Sequence, residues 1–377
     1  MFIMLFSTVR TWYLTLIRSN MFRARAGLMS ALLAAALLLP GCGTAMTSDS
    51  LTDPAVISEN VTAGNITLRD ASEDEPFVFN PHAYSSFLEI CYPEDYRDAF
   101  FNLCDALSEG RDTFECPSKE AYEFCMEPAT LDELYPVACK QIIRNNDFGD
   151  AGYENGTGHI RYEIPVGEYL ERQEAFMREI TDILNSNVRS YYTDLEKCLV
   201  LYDYMSSNYQ YDHMDEVGQS DDGACYSCFR LKKGICNEIG TLYAYLLMQC
   251  GVDAIAVQND GIASSAGYHA WTFVNINGEN YHIDVTAALL SETGMQEVSL
   301  DYFLMTDSDR DAAGYIYDEL EVPLLHVIYA NECREYEFVA RDDSYRLPDG
   351  SYCTGYDTEK NVIYYKDSAG EHEFRYE

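Results

Sequence analysis

The 377-residue sequence predicts an α+β fold in which one helix, opened by a cysteine, packs on an antiparallel sheet. Three observations predict it. Gly234-Ile235-Cys236 is followed by apolar positions at Ile239, Leu242, Tyr243, Leu246 and Leu247, the spacing of a helix about fifteen residues long, and Gly251 stands just past its end. Two alternating runs, Tyr268–Ile276 and Tyr281–Thr286, flank Asn277-Gly278, the dipeptide of a tight hairpin. Residues 77–157 show helical periodicity instead, and short alternating runs return near the C-terminus.

The segments follow in chain order. Residues 1–42 carry Arg10, Arg18, Arg23 and Arg25 and no acid. From Met21 the order is a short basic region, an apolar run Leu28–Leu39, and Leu39-Pro40-Gly41-Cys42, the tripartite order of a secretory signal. With a cysteine at the junction it resembles a bacterial lipoprotein signal. That implies Cys42 as the lipidated residue and a protein held on the extracytoplasmic face of the cell membrane. Twelve apolar residues fall short of the ~20 that span a bilayer, and residues 1–20 are superfluous to the signal, which makes Met21 an alternative start. Residues 43–76, rich in Thr, Ser, Asn, Asp and Glu, read as a flexible tether.

Residues 77–157 read as a helical module, with helices near 93–109, 118–127 and 131–145. Phe100, Phe101, Cys104 and Leu107 make one apolar face. Cys91, Cys104, Cys116, Cys125 and Cys139 lie here, either as one or two disulfides or as buried thiols. Residues 158–310 read as the core domain, with a strand over His159–Ile164, helices over 167–187 and 193–208, an acidic loop Asp212–Gly223, and then the cysteine and hairpin blocks. Residues 311–377 read as a small β appendage, with strands at Tyr336–Val339, Val362–Tyr365 and Glu373–Tyr376.

Composition narrows the function. A chain that is 47% hydrophobic and 13% aromatic forms a core, and a net charge of −38 repels nucleic acid. Removing residues 1–41 removes four arginines and no acid, so the remainder stands at −42.

The chemistry concentrates at Cys236. A thiol in the first turn of a helix faces unpaired amides and the positive end of the dipole, which stabilise the nucleophilic thiolate. Asn237-Glu238 places an acid beside it, which opposes ionisation. On paired strands His269 and Asp284 can share a face, so that thiol, imidazole and carboxylate form a nucleophile, a base and its orienter. These blocks, GICNEIGTLYAYLLMQCGVDAIAV and YHAWTFVNINGENYHIDVT, resemble the transglutaminase-like family of papain-like thiol enzymes. The resemblance covers about 195–290 and extends to about 305, where Tyr302–Met305 suits a following strand. It implies a papain-like core and assigns Cys236 as nucleophile, His269 as base and Asp284 as orienter. Trp271 is expected to pack beneath the histidine. The oxyanion donors expected are the backbone amide of Cys236 and, secondarily, Tyr211.

The expected activity is acyl transfer at an amide of a peptide or protein substrate through a thioester, with water or an amine as acceptor. The alternative is a non-catalytic surface protein that keeps the fold as a binding or scaffold module. No cofactor and no metal are expected. Cys225-Tyr226-Ser227-Cys228 is a lone C-x-x-C pair, read as structural thiols or a local disulfide in preference to half a zinc site. Asp307, Asp309 and Asp311 imitate a calcium loop, but Ala312 stands where glycine is required, so they read as a solvated acidic turn. His282 reads as structural.

Overall fold

The computed structural model describes residues 74–376, leaving aside 91, 145–151, 215, 260–267, 291–296, 315–319, 323–326 and 330–337. The signal with Cys42, nearly all of the expected tether, Cys91 and part of the run Tyr336–Val339 lie outside the described residues. The end of the tether segment is docked. Asp74 accepts from the Ser190 amide at 3.0 Å, and the Glu75 amide donates to Ser190 Oγ at 2.8 Å.

Helices α1 (Glu94–Glu109), α2 (Lys119–Cys125) and α3 (Pro128–Leu134) form early. The helix expected over 131–145 stops at Leu134. A 3-10 turn at Pro136–Ala138 replaces it, because a proline cannot continue the hydrogen-bond ladder. The region is also not purely helical. Strands β1 (Thr113–Glu115), β2 (Ile142–Arg144), β3 (Tyr153–Glu154) and β4 (Thr157–Tyr162) make an antiparallel sheet with β4 at its centre, and β4 lies across the expected boundary at 157/158. Gly158 permits this: a Cβ there would stand 2.5 Å from the Phe114 ring. Cys104, Cys116, Cys125 and Cys139 are unbridged and buried.

Helices α4 (Val166–Asn187) and α5 (Asp194–Asn208) follow close to their expected bounds. Thr193 and Glu196 close the start of α5 reciprocally. The Thr193 hydroxyl accepts the Glu196 amide at 3.3 Å, and the Glu196 carboxylate accepts the Thr193 amide at 2.7 Å. Next come β5 (Gln210–Tyr211), α6 (Ala224–Leu231), β6 (Lys233–Gly234) and α7 (Cys236–Gln249). Helix α7 is buried along nearly its whole length. It ends as the glycine signalled: Gly251 has φ 84°, its amide reaches Met248 O, and the Val252 amide reaches Leu247 O, closing a Schellman motif.

Helix α7 packs on β7 (Asp253–Asn259) and β8 (Ala270–Ile276), and β9 (Glu279–Ile283) pairs with β8 through the Asn277-Gly278 turn, both of whose residues have positive φ. Gly240 lets helix and sheet approach each other, for a Cβ there would lie 3.3 Å from the Trp271 backbone. The Thr272 hydroxyl donates to Gly240 O at 2.9 Å. Beyond β9 lie α8 (Val285–Leu290), β10 (Val298–Ser299), α9 (Asp307–Ala312), β11 (Leu320–Val322) and β12 (Val327–Tyr329), then β13 (Tyr352–Asp357), β14 (Val362–Asp367) and β15 (Gly370–Arg375).

Sequence and structure differ again here. Strands β11 and β12 extend the central sheet, whose order is β12-β11-β7-β8-β9, while β10 pairs with β13 in the sheet β10-β13-β14-β15. The appendage expected from 311 is therefore woven into the core on both sides. Tyr302–Met305 is not a strand. Only Met305 bridges to His282, since Leu304 takes φ 52°, which no strand admits. Among the described residues one hydrophobic core runs from Phe79 to Tyr376. Phe87 meets Phe273 at 5.4 Å between ring centroids, and the Tyr376 hydroxyl donates to Glu196 at 2.7 Å. Among the described residues, no helix is long and apolar enough to cross a membrane.

Candidate active site

Cys236 is the first residue of α7 and is 9% exposed. An α-helix leaves its first amides without intrahelical acceptors, so the Cys236 N–H is among those available to an anion. Gly234, two residues before the cysteine, does not have a positive φ. A Cβ there would stand 3.0 Å from Cys228 Sγ and from Glu238 Cβ, so glycine is needed for close packing. Glu238, the acid expected to oppose ionisation, turns back and accepts the Ile235 amide at 2.7 Å.

His269 stands just before β8. Asn259 holds both of its backbone groups: the His269 amide donates to Asn259 Oδ1 at 2.8 Å, and the Asn259 amide donates to His269 O at 2.9 Å. His269 Nε2 lies 2.6 Å from Asp284 Oδ2, and the imidazole also hydrogen-bonds the Cys236 side chain. With Nε2 engaged by the carboxylate, Nδ1 is the nitrogen that serves the thiol. Burial acts to lower the His269 pKa, but the Asp284 charge and the bonds to Asp284 and Cys236 outweigh it and raise it to about 10. The imidazolium is thus the stable form at neutral pH.

Asp284 is fully buried. The second expected strand ends before it, at Ile283, so Asp284 joins β9 to α8. Its Oδ1 accepts the Ala287 amide at 3.1 Å and its own amide donates to Tyr302 O at 2.9 Å. The β8–β9 register pairs Thr272 with Ile283; extended outward, it sets Asp284 beside Trp271 and diagonal to His269. The contact is therefore a diagonal one, within reach of an imidazole.

Trp271 is fully buried, with its ring 6.0 Å from that of His269 and inclined to it by 23°. Tyr211 lies in β5, paired in parallel with Gly234 of β6. Its phenol pKa is raised, first by burial and then by Cys236, Glu238 and Asp212. Asn259 was missed by sequence, for it carries no local signal beyond being a polar residue at a strand end. His282, read as structural, lies two residues before Asp284, and period two sets both on one face. Its Nδ1 accepts the Trp271 indole N–H at 2.9 Å, and its Nε2 lies 2.9 Å from Asp307 Oδ1.

Cys225 and Cys228 sit in α6, buried and unbridged. Among the described residues, no group of three or more His, Cys, Asp or Glu side chains is placed to hold a metal ion. The acidic run from 307 is no open turn. It forms α9, where Thr306 accepts the Asp309 amide at 3.2 Å and Arg310 is buried.

A helix-borne thiol, an imidazole and a buried carboxylate thus meet on an α+β core. Residues 182–285 match the family model described as the transglutaminase-like superfamily, so that segment is a transglutaminase-like domain. No curated protein matches the chain. Two solved structures overlap it in part: a cysteine-protease candidate from Cytophaga hutchinsonii, 14% identical over 30% of this chain with a TM-score of 0.24, and a TGase, 19% identical over 33% with a TM-score of 0.26. The overlaps span 37% and 35% of those chains, about a third of each, and carry no functional assignment.

Proposed function

We propose that the protein is a thiol enzyme performing acyl transfer at amide bonds, with Cys236 as nucleophile, His269 as acid and base, and Asp284 as orienter. The observation that carries this reading is the placement of one imidazole between a buried carboxylate, at 2.6 Å from Nε2, and the helix-start thiol. The Cys236 thiolate attacks the amide carbon, and the oxyanion is received by the Cys236 amide, with Tyr211 as a second donor. His269 Nδ1 passes its proton to the leaving amine as the C–N bond breaks, leaving a thioester. Water or a second amine then attacks, His269 takes its proton, and the C–S bond breaks to release the thiolate beside the imidazolium.

We further propose that the chain is anchored outside the cytoplasm through lipidated Cys42, so that it acts on peptides or proteins at the cell surface. Incubation with a peptide library, with and without a labelled primary amine, tests the chemistry. Hydrolysed peptides identify water as the acceptor and amine incorporation identifies a transferase. The absence of both, with Cys236 intact, overturns the proposal. Membrane retention of a Cys42→Ala variant overturns the anchor.

A further inference from the structure

His282 is fully buried and both of its ring nitrogens are engaged, one by Trp271 and the other by Asp307. The indole N–H of Trp271 can only donate, so His282 Nδ1 must carry a lone pair. The proton then sits on Nε2 and points at Asp307 Oδ1. One tautomer alone satisfies both neighbours. The backbone is pinned as well: the His282 amide donates to Met305 O at 2.9 Å and the Met305 amide donates to His282 O at 2.8 Å. Asp307 belongs to α9, whose Arg310 lies 3.6 Å from the same carboxylate oxygen. A continuous ladder results, from Asp307 through His282 and Trp271 to the face on which His269 rests.

We infer that His282 is a positioning residue for the proposed reaction: it fixes the tilt of Trp271, and Trp271 holds the His269 ring where it reaches both Cys236 and Asp284. The inference rests on the triad proposed above. An apolar residue of similar size would fill the same space, but it would leave the indole N–H without an acceptor and Trp271 free to rock. A group held a fraction of an ångström out of place loses much of its effect on a reacting partner.

The test uses the full chain carrying Trp12→Phe, so that Trp271 is its single indole, the sequence having two tryptophans. Alkylation of Cys236 by iodoacetamide is followed by mass spectrometry from acid to mildly alkaline pH, beside the indole proton–nitrogen NMR signal. In His282→Phe the indole signal is expected to move upfield, the rising limb of the alkylation profile to move to higher pH, and the neutral-pH rate to fall roughly tenfold. In His282→Asn the side-chain oxygen can stand where Nδ1 stood, and most of the rate is expected to return. A folded His282→Phe protein with the parent profile overturns the inference, as does His282→Asn reacting as slowly as His282→Phe. If His282→Phe does not fold, Asp307→Ala decides. It releases the tautomer from the exposed side, so a shifted indole signal with slower alkylation supports the inference and an unchanged profile overturns it. Parent Cys236 that reacts no faster than the other thiols removes the triad reading, and the inference falls with it. Parent Cys236 that is fast and dependent on His269, with unchanged His282 variants, removes only the inference.

Discussion

Cys236 and Cys225 both lie in the first turn of a helix, in α7 and α6, and their surroundings differ in what meets the helix end. At α6 the Asp132 carboxylate takes the Cys225 amide, at 3.1 Å and 3.3 Å, and Gly223 leaves the room for it: a Cβ there would stand 2.6 Å from Asp132 Oδ1. The positive end of that helix is spent on a side chain. Burial first, then Asp132, Cys228, Glu133 and Cys139, push the Cys225 thiol well up. At α7 the capping carboxylate, Glu238, takes the Ile235 amide, one residue before the cysteine, and an imidazole faces the thiol. A helix start is thus no activation by itself. The neighbouring group decides whether the sulfur is a nucleophile or a small buried hydrophobe.

The largest effect expected from this comparison is loss of the imidazole. His269→Ala should slow alkylation of Cys236 by limiting iodoacetamide at neutral pH by roughly 10²-fold or more, the range a positioned acid–base partner supplies. Cys225 and Cys228 should stay unlabelled in parent and variant alike. Peptide mapping measures all three thiols at once, and equal labelling of Cys236 in both proteins would erase the distinction between the two helix starts.

Asp284→Asn should act less strongly and in a pH-dependent manner. Without the carboxylate the imidazolium is less favoured, so the rising limb of the Cys236 alkylation profile should move to higher pH, with about tenfold in rate at a fixed acidic pH for each unit of displacement. Stability carries the same signature. The folded pKa of His269, about 10, lies above the unfolded value near 6.5. The pair's stabilisation is therefore fully present below about pH 6.5 and is lost as pH rises through about 10. Denaturant midpoints should fall between those limits in the parent by more than in Asp284→Asn. A variant with the parent's slope would show that the ion pair does not form.

The legible part of the site lay in residues whose partners are close in sequence or fixed by a hairpin. Helix α7 could be read because its apolar period, its opening cysteine and Gly251 agree. The β8–β9 hairpin could be read because Asn277-Gly278 fixes its register, and with it the approach of His269 to Asp284. Asn259 could not be read, since its claim on the His269 backbone depends on β7 lying beside β8. The weaving of β11 and β12 into the central sheet was hidden for a similar reason: strands of three residues carry little periodicity, and β11 joins the sheet through β7, some sixty residues earlier in the chain. Strand β4 answers to the strand expected over His159–Ile164, but the sheet around it was hidden, because its partners β1, β2 and β3 are two or three residues long and interleaved with helices.

The smallest effect concerns the seam between the two helix starts. Gly234, two residues before Cys236, lies against Cys228 of α6, and a Cβ would come within 3.0 Å of its sulfur and of Glu238 Cβ. Gly234→Ala must therefore push α6 away from β6 or shift the start of α7. An overpacked site of this kind costs about 1–3 kcal/mol. Cys228→Ala alone should cost about 1 kcal/mol by leaving a small cavity, with no change in Cys236 reactivity. In the double variant the new methyl enters the space the sulfur has left. The two losses should then sum to less than their separate values, by at least about 0.5 kcal/mol. Strictly additive losses would mean that Glu238, and not the C-x-x-C thiol, sets the space at Gly234. The Cys225–Cys228 pair would then have no part in placing Cys236.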